Sequence, residues 1–135
     1  MCPAPTTEGL HADREKSQFV ARVAVTGDAD LQQGTTSSKG YLLRTESALS
    51  GRPPAEFALW TAVDMPELRQ GKAYVVFARD SFSGRTDPVT ANGAPVTAFH
   101  VAVPGGVYEV GDGKVVRACR GEPSEAVDDD VLAGI

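Results

Sequence analysis

Apolar and polar residues alternate with a period of two through most of this chain, the signature of half-buried strands. From Ser17 to Thr26, Phe19, Ala21, Val23 and Val25 alternate with Val20, Arg22 and Ala24. Only Arg22 breaks the apolar character of the second set, so this strand is expected to be buried on much of both faces. Tyr41 to Leu49 predicts a second strand, Glu56 to Val63 a third, and Lys72 to Arg79 a fourth, the most apolar. Val96 to Val103 predicts a fifth. Val107–Val110 and Lys114–Cys119 flank Gly111-Asp112-Gly113, a strong hairpin signal. Altogether the pattern predicts about five to seven antiparallel strands in a small barrel or sandwich. Val20, Val23, Leu43, Leu59, Val75, Phe77 and Val101 are the expected core.

Helix is expected only in short pieces. His11 to Lys16 can form one or two turns after an extended lead-in over residues 1–10. Ser124 can cap a last helix over 124–135, with Asp128, Asp129 and Asp130 near its positive end. Gly27 to Lys39 and Asp80 to Pro95 read as two long polar loops. Loops on a rigid barrel commonly carry recognition, which makes these two the expected contact surfaces.

At 135 residues the chain is most simply one domain, able to bury a core without a metal. Plentiful Ala, Val, Gly and Arg with scarce Asn and Ile read as a GC-rich coding bias of actinobacterial kind. A net charge of −5 repels phosphate backbones, so no nucleic-acid partner is expected. No apolar run approaches the ~20 residues of a membrane-spanning helix.

The chain has two cysteines, Cys2 and Cys119. Three readings stand open: a disulfide in an exported protein, a lipid-bearing Cys2 in a lipoprotein with Cys119 free, or two reduced thiols in the cytoplasm. Met1 directly before Cys2 reads as an initiator placed ahead of a mature secreted sequence.

Once the strands are placed, the chain resembles a divergent bacterial member of the netrin-module and tissue-inhibitor-of-metalloproteinase superfamily. The resemblance is carried by Cys2, Phe19-Val20-Ala21-Arg22-Val23, Tyr41-Leu42-Leu43-Arg44-Thr45, the turn Leu49-Ser50-Gly51, Gly71 to Ala78, and Cys119. It covers residues 2–80 and then Cys119, through loose motifs in a shared order. It implies an OB-like five-stranded barrel with short flanking helices, an extracellular setting or the outer face of the cytoplasmic membrane, and pairing of Cys2 with Cys119. The sequence departs from the family at Cys2-Pro3-Ala4, where many members have Cys-X-Cys, and at Asp64-Met65-Pro66-Glu67, where many carry another cysteine.

Chemistry-bearing residues are sparse. In the family, proteinase inhibition uses the amine and carbonyl of a free N-terminal cysteine, a role open to Cys2 once Met1 is removed. The two histidines are His11 and His100, and no Gly-X-Ser-X-Gly elbow is present. A small hydrolase would have to be built around His100, with Ser81 or Ser83 and Asp80 as partners. Asp28-Ala29-Asp30 opens like a calcium loop but lacks the glycine and final glutamate at the required spacing. No metal and no organic cofactor are expected. The leading expectation is a non-catalytic module that binds another protein or an envelope component. Its candidate contact residues are Cys2, Pro3, Asp28, Asp30, Tyr41, Trp60, Ser81 and Phe82.

Overall fold

Thr6 accepts a hydrogen bond on its side-chain oxygen from Gly9 N–H at 3.1 Å, and this cap starts a helix. The computed structural model describes residues 2–62, 65–80, 88–119, 122–133 and 135. The capped helix, α1 (Thr7–Glu15), begins four residues before the expected His11. Glu8 in its first turn suits the positive helix end. Its one buried residue, Leu10, seats it on the sheet.

Among the described residues ten strands form: β1 (Phe19–Gln33), β2 (Thr36–Ser50), β3 (Glu56–Trp60), β4 (Ala73–Arg79), β5 (Val89–Ala91), β6 (Ala94–Val96), β7 (Ala98–Val101), β8 (Val107–Gly111), β9 (Lys114–Arg117) and β10 (Val127–Asp128). Around the barrel the order is β1-β2-β3-β7-β4, and β4 pairs back onto β1 to close it. The expected mostly β, OB-like barrel is therefore present. The strand count exceeds the expected five to seven, because β8, β9 and β10 extend the sheet beyond β4 while β5 and β6 extend it beyond β1. One barrel contact is parallel rather than antiparallel, with Ala58 opposite Ala98 and Leu59 opposite Phe99.

β1 serves three partners along its fifteen residues. Residues 19–24 pair with β4, and Leu31–Gln33 pair with β5, while β2 runs along the other edge. Three register irregularities, between Val20 and Ala21, Arg22 and Val23, and Val25 and Gly27, let the strand curl around the barrel. The expected polar loop from Gly27 to Lys39 is instead a hairpin arm, turning at Gly34 with φ 59°. Its Ala29 and Leu31 pack with Ala58, Trp60 and Ala91 outside the barrel. Gly40 lies at the base of this arm for want of space: a Cβ there would sit 2.3 Å from Leu31 Cδ1 and 2.6 Å from the Leu59 carbonyl oxygen.

The barrel interior holds Phe19, Ala21, Val23, Tyr41, Leu43, Phe57, Leu59, Tyr74, Val76 and Phe99. Alternate residues Val20, Val75 and Phe77 face outward into a second core with Leu10, Tyr108 and Val115. β4 is thus buried on both faces, whereas β1 is buried on both only at its start, its outward face opening to solvent from Arg22 onward. Val20, Val23, Leu43, Leu59, Val75 and Phe77 are all buried. Val101 is only half-buried, because β7 ends there beside a cleft.

Three further expectations change. The strand predicted over Val96–Val103 is divided between β6 and β7. Of the second loop, residues 81–87 lie outside the described residues, and its remainder folds into the β5–β6 hairpin. The terminal helix from Ser124 does not form. Ser124 Oγ accepts from Arg117 N–H at 2.8 Å instead of capping, and the chain continues as β10 and a short 3-10 helix over Asp129–Leu132. The hairpin predicted at Gly111-Asp112-Gly113 is present, with Asp112 and Gly113 at φ 53° and 73°.

Candidate functional site: an apolar cleft beside a disulfide

Two barrel tyrosines hold the connector between β3 and β4 across one end of the barrel. Tyr41 Oη accepts from Leu68 N–H at 3.1 Å, and Tyr74 Oη accepts from Arg69 N–H at 3.0 Å. Leu68 is buried and Met65 packs on the barrel core. Facing this connector, the chain leaves β7 and turns sharply. Ala102 N–H donates to the Phe77 carbonyl at 2.7 Å, Gly106 N–H to the Val103 carbonyl at 3.1 Å, and Phe77 N–H to the Gly106 carbonyl at 2.9 Å. Hydrogen bonds therefore fix both walls, tyrosine hydroxyls on the connector side and main-chain groups on the turn side.

Between the walls lies a cleft of ≈ 280 Å³. Met65 and Pro66 form one side, Val101, Val103 and Pro104 the other, and Ala118 the end. Among the described residues every lining residue is apolar, so these residues offer a guest hydrogen bonds only from their main chain. A second cleft of ≈ 250 Å³ adjoins it, sharing Pro66 and Ala118. Its wall is charged: Lys72 Nζ donates to Glu109 Oε1 at 2.8 Å, and Arg69 and Glu67 lie beside them.

Cys119 lines this second cleft and is bonded to Cys2, with the Cα atoms 6.1 Å apart. The pairing implied by the family resemblance is present. It uses the sulfur that a lipid thioether would need, so this pairing and a lipid anchor at Cys2 exclude each other. Arg117, two residues before Cys119, joins three neighbours. Its Nε donates to the Pro3 carbonyl at 2.8 Å, its Nη1 donates to the Gly105 carbonyl at 3.0 Å, and its Cζ lies 5.0 Å from the Tyr108 ring centroid. Gly105 has φ +71°, a conformation that favours glycine, and a Cβ there would approach Arg117 Nη1 to 2.7 Å and displace the guanidinium.

Tyr108 is fully buried, and its hydroxyl makes no hydrogen bond among the described residues. Burial pushes its pKa up to about 12 from 10, with the nearby Arg117 charge opposing the rise. Across from it, burial raises the Asp13 carboxyl while Arg117 pulls it down. The sign for Tyr108 follows from linkage: an unfolded chain loses this proton near pH 10, the folded chain near 12. Stability should therefore be whole below pH 10 and decline between pH 10 and about 12. Tyr108→Phe should flatten that decline. At pH 7 it should be within about 1 kcal/mol of wild type, because among the described residues the hydroxyl has no hydrogen bond of good geometry to lose. Urea melts of both proteins from pH 7 to 12 check this, and a variant as sensitive to alkali as wild type would refute it.

The other candidate contact residues are scattered. Asp28 and Asp30 lie on the exposed face of the hairpin arm, where Asp30 Oδ1 accepts from Lys39 Nζ at 2.6 Å and Asp30 N–H donates to Asn92 Oδ1 at 2.9 Å. Pro3 is exposed. Tyr41 and Trp60 are buried, so neither offers a binding face. Tyr41 supports the connector from within the barrel, and Trp60 stacks on His100 with ring centroids 5.8 Å apart. Ser81 and Phe82 lie outside the described residues, as does Ser83. Burial lowers the His100 pKa below its usual 6.5, favouring neutral imidazole. Among the described residues no three His, Cys, Asp or Glu side chains converge on a metal-sized site, and no helix is long and apolar enough to cross a membrane.

Sequence reasoning missed the cleft, although a signal was there. Ala62, Met65 and Pro66 in one connector, and Val103 and Pro104 in another, are apolar residues in segments where polar ones are usual. No family model matches the chain, and no curated protein or solved structure matches it either.

Proposed function

We propose that this domain is a non-catalytic binding module, and that its apolar cleft receives an apolar side chain of another protein or of an envelope component. The observation that supports this reading is a preformed cleft whose walls are held by hydrogen bonds and whose lining, among the described residues, carries no charged or hydrogen-bonding side chain. Such a site offers shape and apolar burial and supplies no acid, base or nucleophile of its own. The disulfide supports placement outside the cytoplasm, where such bonds persist. Kinship with the netrin-like superfamily belongs to the same proposal, supported by the barrel order and by the Cys2–Cys119 pairing.

The test uses 8-anilinonaphthalene-1-sulfonate, a dye with apolar rings and one anionic sulfonate, with the oxidised protein. Wild type should bind one equivalent. Ala118→Phe fills the end of the cleft and should weaken binding about tenfold or more, a loss of ~1.4 kcal/mol. Its fold is checked by circular dichroism and by an intact disulfide. Equal binding by the filled variant, or none by wild type, would remove the cleft as a binding site.

A second reading has one supporting observation: Cys2 and Pro3 are held rigidly at the surface by the disulfide and by Arg117. A zinc-proteinase inhibitor acting through this segment would require a free Cys2 amine. Inhibition that appears on removal of Met1 and vanishes on acetylation would mark it.

A further inference from the structure

We propose that the Cys2–Cys119 disulfide is a redox latch on the apolar cleft, opened by a dithiol reductant and relayed by Arg117. The proposal rests on the binding role assigned to the cleft above, and it names how that role is regulated.

The argument starts from what holds the N-terminal segment. Among the described residues, residues 2–4 are tied to the body by the disulfide and by one hydrogen bond to main chain, from Arg117 Nε to the Pro3 carbonyl. The first tie positions the second, because Pro3 follows Cys2 directly. Arg117 presents its N–H groups in a rigid planar fork. One prong is on Pro3 and another is on Gly105, in the turn that walls the cleft. Freeing Pro3 therefore frees one side of the fork, and the Gly105 carbonyl loses a fixed donor. Ala118, the end of the cleft, sits between Arg117 and Cys119 in sequence.

The main chain of Arg117 has its own anchor and stays in place. Its N–H donates to Ser124 Oγ at 2.8 Å, and its carbonyl accepts from Ser124 N–H at 3.2 Å. Pro5 is buried and Arg117 Cζ lies over the Tyr108 ring, so the movable parts are the prong of the guanidinium on Pro3, the turn the guanidinium clamps and the segment before Pro5. Access also fits. Both cysteines are half-buried, and Cys119 lines the open second cleft, where a small thiolate can reach the bond.

The chemistry is ordinary exchange. A thiolate of the dithiol attacks one sulfur, forming a mixed disulfide and expelling the other cysteine as a thiolate that takes up a proton. The second thiol of the reductant then displaces the bound cysteine. Two electrons and two protons pass to Cys2 and Cys119, and the reductant departs as its own disulfide.

The test follows the methyl resonances of Met65, Val101 and Val103 by NMR, together with 8-anilinonaphthalene-1-sulfonate affinity. Oxidised protein, dithiothreitol-reduced protein and oxidised Arg117→Gln are compared. Reduction should shift these methyls and weaken dye binding about fivefold or more. Oxidised Arg117→Gln should reproduce both changes, and reducing that variant should add little. Unmoved methyls and unchanged affinity, with two free thiols verified, would overturn the latch. An equal response to reduction in wild type and Arg117→Gln would remove Arg117 as the relay. If the reduced chain unfolds, unmoved methyls in oxidised Arg117→Gln overturn the proposal. Should oxidised wild type fail to bind the dye while its methyls still move on reduction, the binding role fails and the latch stands.

Discussion

Truncating Phe57 to alanine should cost about 3–5 kcal/mol of stability, the range for a large aromatic removed from a packed core. Phe57 is 1 % exposed. Its ring meets Phe19 at 5.3 Å and Phe99 at 5.6 Å, and those two meet at 4.9 Å, all edge to face. The three rings come from β3, β1 and β7, so one truncation loosens contacts among three barrel strands. Each aromatic pair adds about 0.5–1.5 kcal/mol beyond simple burial, which favours the upper part of the range. Urea denaturation should show a lower midpoint at unchanged slope. Phe57→Leu keeps more of the volume and should lose less. A loss below about 1 kcal/mol for the alanine variant would mean that the triad does not organise the core.

Removing the disulfide is the second large effect. Reduction, or replacement of both Cys2 and Cys119 by alanine, should lower stability by about 2–5 kcal/mol. The cysteines are 117 residues apart, so the bond closes nearly the whole chain. In the chain-entropy account long loops stabilise most, which places the expectation toward the upper end. Paired urea melts of oxidised and reduced protein measure it. Thiol titration of unreduced native protein should find no free thiol. One titratable thiol, with a mass raised by acyl chains, would reinstate the lipid-bearing Cys2.

The barrel strands were legible because their core sides are uninterrupted. Ala73 to Ala78 runs apolar without a break, Phe19 to Val25 is interrupted only by Arg22, and the core sides of both are buried as the pattern requires. The hairpin arm was not, although its period of two continues through Ala29 and Leu31 to Gln33. Gly27, Asp28, Asp30 and Gln32 dilute it, and a strand that packs on a small patch needs few apolar residues. Ser124 shows the opposite error, a genuine capping signal consumed by a tertiary partner, the Arg117 N–H. Thr6 was a cap of equal quality, hidden by the polar, Pro-rich segment around it. The cleft had to remain invisible as a site. It exists only because the Tyr41 and Tyr74 hydroxyls place one connector opposite a turn some forty residues away, and neither the strand period nor any motif encodes that meeting.

The parallel contact of β3 with β7 also bears on when this protein can fold. A chain synthesised from its N-terminus has β1 to β4 in hand by Arg79, but the barrel wall between β3 and β4 is filled by β7, which ends only at Val101. Until then two strand edges stand open, each a template for pairing with the wrong chain. Closure must await contacts distant in sequence, which places folding toward the slower, ~ms to s regime of β-rich domains. Cys2 waits longer still, because its partner Cys119 lies 117 residues further on, beyond every strand of the barrel, so oxidation seals a barrel already built.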